Sequence, residues 1–295
     1  MPGEPQQLDI FADSHDVMLR NDVLRALERR NALAARAAWQ ALASAYAQDA
    51  SLAALDLLAE TLEADDTAPL PDHEAVRQAR HHLTREVTAA ARQALGEGAA
   101  AAWLQPLWQR LAERAARLPF DATRADDHAA ALWLQGAHWT RAAEAVEGIE
   151  SWRRIPAPLA WMCEAHWHMD RLANGWALLA ELAWLAPSRL DGLLRRLPNA
   201  HLAGLFKKFG TSFEGAGDAT DLAWFPAWVL IEAPKLAPAL AQAWPSQHSD
   251  GERAMRLLLE LLGLEREGRH AELLQRRRAL RDLHAGLYSA YMATR

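Results

Sequence analysis

Residues 131–184 decide the fold, and within them two segments read as versions of one another: ALWLQGAHW at 131–139 and LAWMCEAHW at 159–167. The stretch holds seven of the thirteen tryptophans of the chain. At an offset of 28 the segments share Trp133/Trp161, Ala137/Ala165, His138/His166 and Trp139/Trp167. At an offset of 34, Gly136 aligns with Asp170, Trp133 with Trp167 and Ala143 with Ala177, and each unit reads as helix, short turn, helix. The longer offset is preferred, because it superimposes the turn residues. Apolar positions at helical spacing predict helices near 126–135, 139–149, 157–169 and 172–185, stopped by Gly136, Pro156, Asp170 and Pro187.

Composition carries the same reading to the rest of the chain. There are 64 Ala and 47 Leu against 4 Ile and 6 Val. Ala and Leu lose least on entering a helix, whereas a pleated sheet prefers β-branched residues, so the expected fold class is all-α. With 295 residues and 51% hydrophobic content there is enough apolar material for a continuous core, as one superhelix of stacked antiparallel hairpins or as two helical lobes. A net charge of −6 argues against direct nucleic-acid binding, which needs a basic face for phosphates. Cys163 is the sole cysteine, which excludes an internal disulfide framework. Neither a signal peptide nor an apolar run of about 18 residues is present, so a cytoplasmic protein without membrane association is expected.

Taken in order, the chain reads as an extended peptide at 1–13, an N-terminal helical region at 14–120, a tryptophan-rich region at 121–209, a Gly-rich connector at 210–221 and a C-terminal helical region at 222–295. In the N-terminal region, helices are expected over 16–30, 32–47, 52–64, 74–95 and 99–118, with Asn31 as a turn, 65–72 as a linker and Pro106 as a kink or late start. Two short helices broken at Pro198 follow the tryptophan-rich region, and a hairpin of 252–267 and 269–291 turning at Gly268 closes the chain. Gly215-Ala216-Gly217 lacks the preceding strand and following Lys-Ser/Thr of a phosphate loop and reads as a connector.

Three clusters are candidate sites. Cys163, His166 and Asp170 lie at i, i+3 and i+7 and share a helical face, with His168 on the opposite side; they are the densest set of metal-ligating types and the place for a metal-dependent or small-molecule-binding enzyme, if this were one. Without a second cysteine pair or HExxH, a buried thiol with satisfied histidines is the preferred reading, and neither metal nor other cofactor is expected. The tryptophans read chiefly as core, with large indoles filling what the alanines leave open; Trp139, Trp167 and Trp176 are the ones that would otherwise line a concave binding groove. The third cluster is basic: Arg276, Arg277, Arg278 and Arg281, which would need Lys207, Lys208, Arg195 and Arg196 on the same face to contact nucleic acid.

Two resemblances follow from these residues. Gln7-Leu8-Asp9-Ile10-Phe11 resembles the peptide with which bacterial replication and repair proteins dock on the sliding clamp: a glutamine, a leucine, a small or acidic residue, an aliphatic and a phenylalanine. It implies that an extended tail lays Leu8, Ile10 and Phe11 into apolar pockets while Gln7 sets register through its amide. The helical hairpins, chiefly at 126–187 and 252–291, resemble the tetratricopeptide-like superfamily, and Leu264-x3-Gly268-x-His270 repeats Leu132-x3-Gly136-x-His138. That resemblance implies a right-handed superhelix presenting a concave surface to a protein partner: a non-enzymatic scaffold rather than a catalyst.

Overall fold

The structure is a computed structural model that describes residues 6–64, 67–246 and 249–295, with the side chains of 6–14 outside the described set. The protein is all-α. Among the described residues, seventeen α-helices, one π turn and a few short 3-10 turns make up the regular structure, and no strand occurs. The chain divides at Ala137/His138 into two compact units. That boundary falls inside the expected 121–209 region and separates the two helices of its first hairpin, α7 (Ala129–Gln135) and α8 (Trp139–Glu147).

In the first unit α1 (Gln6–Glu28), α2 (Ala32–Ala45) and α3 (Leu52–Glu63) pack in succession. The expectation of an extended stretch up to residue 13 is corrected here. The α1 backbone is helical from Gln6, and so includes residues 7–11. No proline or glycine follows Pro5 before residue 28, and each residue added to a formed helix gains a hydrogen bond without a new nucleation cost. The long helix expected over 74–95 is α4 (His73–His82) and α5 (Thr88–Leu95), joined without a break through a single π turn, Leu83–Val87. Asp72 begins it, accepting from Ala75 N at 2.8 Å. Helix α6 (Glu97–Ala115) contains Pro106 in its interior. A proline there costs about 3 kcal/mol, against which stand the buried Trp103, Leu107, Trp108 and Leu111 of the same helix.

The second unit is built around α10 (Leu172–Leu185), which is buried on all sides from Gly175 to Ala183. It packs against α9 (Pro156–His168), α11 (Pro187–Leu194), α13 (Phe225–Glu232), α14 (Ala237–Leu240) and α15 (Asp250–Glu267). A helix so enclosed must be apolar throughout, and its sequence LANGWALLAELAWL has one charged residue, Glu181. The expected C-terminal hairpin is α15 and α16 (His270–Leu283), but α16 stops early: His284 is extended and its Nδ1 caps a new helix, α17 (Ala285–Ala293), by accepting from Leu287 N at 3.0 Å.

The repeat register differs from both sequence offsets. Gly136 and Met169 share one backbone conformation (φ −79, ψ 5 and φ −84, ψ 6), and Ala137 and Asp170 follow in the left-handed region at φ 53 and 57. Helices α8 and α10 begin two residues later, so the turns superimpose at an offset of 33. Gly136 is in the turn, as expected, but the left-handed position is the next residue, an alanine. The same turn recurs at Arg30 (φ 53) and Gly268 (φ 70). Three of the four close by the bond typical of a left-handed helix end: Asn31 N to Ala26 O, Arg171 N to His166 O and Arg269 N to Leu264 O, at 2.9–3.1 Å.

Candidate functional site

The second unit contains an open cleft of about 560 Å3, whose lining includes Glu147, Trp152, Arg153, Met162, His166 and Trp244. Its construction starts from a sharp turn. Ser151 sits at φ 54, the 3-10 turn Trp152–Arg154 follows, and Pro156 then starts α9 at the position where a missing N–H costs nothing. This turn lifts Trp152 and Arg153 beside the end of α10, where the buried Glu181 receives them. Arg153 Nε lies 3.3 Å from Glu181 Oε2, a charge contact outside hydrogen-bonding geometry. The other carboxylate oxygen accepts from Trp244 N at 2.9 Å.

One carboxylate therefore fixes both walls of the cleft. The Arg153 guanidinium lies 4.1 Å from the Trp244 ring centroid and 5.3 Å from that of Trp152, so it contacts both indoles. Burial pushes the Glu181 carboxyl above the usual carboxylate range, and the Trp244 N–H, Arg153 and Arg256 oppose that shift. Trp244 remains 58% exposed, whereas Met162 and Leu178 at the other end are buried. Aromatic walls therefore stand at the mouth above an apolar floor.

His166 lines the inner part of this cleft and is 9% exposed. Its Nδ1 is buried and has no hydrogen-bond partner. Burial depresses its pKa, with Arg171 adding to the effect, Glu147 opposing it and Arg153 contributing least.

The ligand set Cys163, His166 and Asp170 is not brought together. Cys163 is enclosed and its thiol donates to Gly175 O at 3.7 Å; burial, followed by Glu164, raises its pKa. Asp170 is exposed on the left-handed turn, and His168 stacks on Trp139 at 3.7 Å between centroids. Among the described residues no group of three or more His, Cys, Asp or Glu side chains is placed to hold a metal ion. Helical spacing put three side chains on one face, but that face is split between core, cleft and turn.

Of the three indoles named as groove candidates, two lie in the interior. Trp167 and Trp176 are 7% and 3% exposed and pack edge to face at 5.3 Å, which makes them core. Gly175 makes the space for this pair, since a Cβ there would stand 3.0 Å from Trp167 Nε1. Trp139 is half-buried under His168. The basic residues are dispersed among carboxylates: Arg195 on Asp191, Arg196 on Glu164, Lys208 on Glu232, Arg276 on Glu260 and Arg277 on Glu265. At the Gly-rich connector, Asp221 accepts from Ala216 N at 2.8 Å and Gly217 N at 2.7 Å, so the chain's own carboxylate fills the nest an anion would need. The side chains of Gln7, Leu8, Asp9, Ile10 and Phe11 lie outside the described residues.

Sequence reasoning missed Trp152, Arg153, Glu181 and Trp244 as a set. One signal was available. Glu181 is the single charge of an otherwise apolar helix, and a carboxylate in that setting requires a partner. In comparisons with known proteins the chain matches no family model, no curated protein and no solved structure. No helix among the described residues is long and apolar enough to cross a membrane.

Proposed function

We propose that this protein is a non-enzymatic helical scaffold, tetratricopeptide-like in its hairpins, which holds a segment of a protein partner in the cleft of its second unit. The observation that carries this reading is the Trp152–Arg153–Trp244 cluster: an arginine held against two indoles at the mouth of an open cleft. Trp and Arg are the residue types that concentrate binding energy at protein interfaces. The titratable groups nearby support recognition rather than catalysis, because Glu181 is occupied by Arg153 and Trp244 and His166 Nδ1 makes no hydrogen bond to a base or nucleophile. The recurring left-handed turn at Arg30, Ala137, Asp170 and Gly268 supports a repeat of one hairpin unit. Affinity capture from the native host, with wild type and Trp244→Ala in parallel, tests the reading. It requires a protein that the wild type retains and the variant loses.

A second reading rests on Gln7-Leu8-Asp9-Ile10-Phe11, as docking on the bacterial sliding clamp. The mode needs an extended peptide, so the first turns of α1 would have to unwind, and that ordering cost leaves a micromolar dissociation constant, on the order of −8 kcal/mol. Deleting residues 1–12 abolishes clamp binding on this reading, and Phe11→Ala removes most of it. Absence of binding to the purified host clamp at about 100 μM ends it.

A further inference from the structure

A groove of about 740 Å3 on the second unit, sharing no lining residue with the tryptophan cleft, lies between the segment 234–241 and residues 259–266 of α15. The first segment is the 3-10 turn Pro234–Leu236 continued by α14. The two run in opposite directions: Arg256 Nη2 donates to Ala243 O at 2.7 Å, which sets the end of one beside the start of the other. The lining is therefore ordered along its length. Ala241 and Leu259 stand at one end, Ala237 and Leu262 in the middle, and Lys235 and Arg266 at the other end, where Arg295 joins them.

Charge and shape select what fits. Glu265 is the acidic side chain of the lining, and it is already engaged: Tyr291 Oη donates to it, and so does Arg295 Nε, at 2.8 Å. Lys235 and Arg266 are exposed, and among the described residues neither has an ion-pair partner; Arg266 Nε turns back to Leu262 O at 3.2 Å. Three cationic side chains against one acidic one make this end positive, in a chain of net charge −6. The remainder is apolar, with Leu259 and Leu262 half-buried. Helix flanks offer no free backbone donor or acceptor, so an extended segment laid here would lose water from its own backbone without replacement, whereas a helix brings its hydrogen bonds with it. At about 1.5 Å per residue, either wall spans about 12 Å, or two helical turns.

We propose that this groove docks a two-turn amphipathic helix of a protein partner, with its apolar side chains on Leu259 and Leu262 and its acidic side chains at one end, against Lys235 and Arg266. The small side chains of Ala237 and Ala241 let the backbone of a third helix come close. A nucleic acid would use the two cations and leave the leucines uncovered. The surface is independent of the Trp152–Trp244 cleft, so either assignment can fall without the other.

The test uses the full-length 15N-labelled protein and end-capped synthetic peptides of about sixteen residues, rich in Ala and Gln. The acidic peptide carries Leu at i, i+3 and i+7 and two Glu in the next turn. Its counterparts carry Gln or Lys in place of both Glu, a central Pro, or the same leucines spread around the helix. The acidic peptide shifts the amide signals of Ala237, Ala241, Leu259 and Leu262 with a dissociation constant of about 1 mM or tighter. The Gln peptide binds about fivefold more weakly, and the Pro and spread-leucine peptides do not bind. Lys235→Glu combined with Arg266→Glu reverses the preference, so that the Lys peptide binds the more tightly, and the milder Lys235→Ala with Arg266→Ala makes the acidic and Gln peptides equal; circular dichroism confirms that the variants keep their helix. Equal affinity of the acidic, Gln and Lys peptides for the wild type, a preference that survives either pair of substitutions, full binding of the Pro peptide, dodecanoate shifting the same amides at lower concentration than the acidic peptide, or no shift with any peptide up to about 5 mM overturns the proposal.

Discussion

The second unit holds two pairs of tryptophans with opposite fates. Trp167 and Trp176 pack edge to face in the interior, across the space that Gly175 leaves open. Trp152 and Trp244 stand at the mouth of a cleft on either side of Arg153, and Trp244 is 58% exposed. The first pair comes from α9 and α10, whose faces are all covered by neighbours, and the second from a turn and a loop held by one buried carboxylate. An indole therefore becomes core or contact surface according to what anchors the backbone that carries it. Residue type and helical spacing do not distinguish the two.

The contrast is most easily broken by emptying the interior. Trp167→Ala lowers unfolding free energy by about 3–5 kcal/mol, the range for removing a large buried aromatic, measured by urea denaturation. Trp244→Ala stays within about 0.5 kcal/mol of wild type in the same assay. Comparable losses from both would mean that the cleft wall is part of the core.

A pair of histidines sharpens the same contrast through pH. His128 in the first unit is 7% exposed and caps α7 by accepting from Ala130 N at 3.2 Å. Its pKa falls to about 4, mainly because burial disfavours the charged ring and secondarily because His73 is near. Between about pH 6.5 and 4 the unfolded chain binds a proton that the folded chain refuses. Stability is therefore full above pH 6.5 and falls as pH drops toward 4, by about 3 kcal/mol at most from this residue. His128→Asn keeps an N-cap acceptor and flattens that part of a pH series of denaturation midpoints.

Glu181→Gln tests the anchor of the exposed pair. It removes the charge facing Arg153 and weakens the bond from Trp244 N–H, so a loss of about 1–3 kcal/mol is expected, together with shifted indole signals for Trp152 and Trp244 but not for Trp167 and Trp176. The smallest effect concerns the turns. Asp170→Gly relieves a left-handed non-glycine residue at an exposed position and gains about 0.5–1 kcal/mol, while Gly268→Ala loses a similar amount. A melting-temperature shift of the same sign in both variants would refute the shared-turn assignment.

Much of the fold was legible because helix signals are local. The predicted span 172–185 coincides with α10, and 157–169 misses α9 by one residue at each end, since Pro156 starts one helix and Pro187 follows the other. Legibility failed where a single residue acts against its usual tendency. Ala137 rather than Gly136 takes the left-handed turn, and His284 caps a helix that periodicity ran straight through. Each is decided by tertiary burial or backbone geometry that outweighs about 1–3 kcal/mol of local preference.

The sequence by itself determined an all-α chain, most of its helix boundaries, and which segments are apolar enough to lie inside, because these follow from residue propensity and from spacing along one helix. Only the tertiary structure decided which tryptophans face solvent, that Cys163, His166 and Asp170 point to three different environments, and that Glu181 joins Arg153 to Trp244 across 28 and 63 residues of chain. The physical reason is that a site is made of contacts between distant segments. Their energies depend on burial and partner geometry that no local pattern encodes, and the one trace they left in the sequence was a lone carboxylate in an apolar helix.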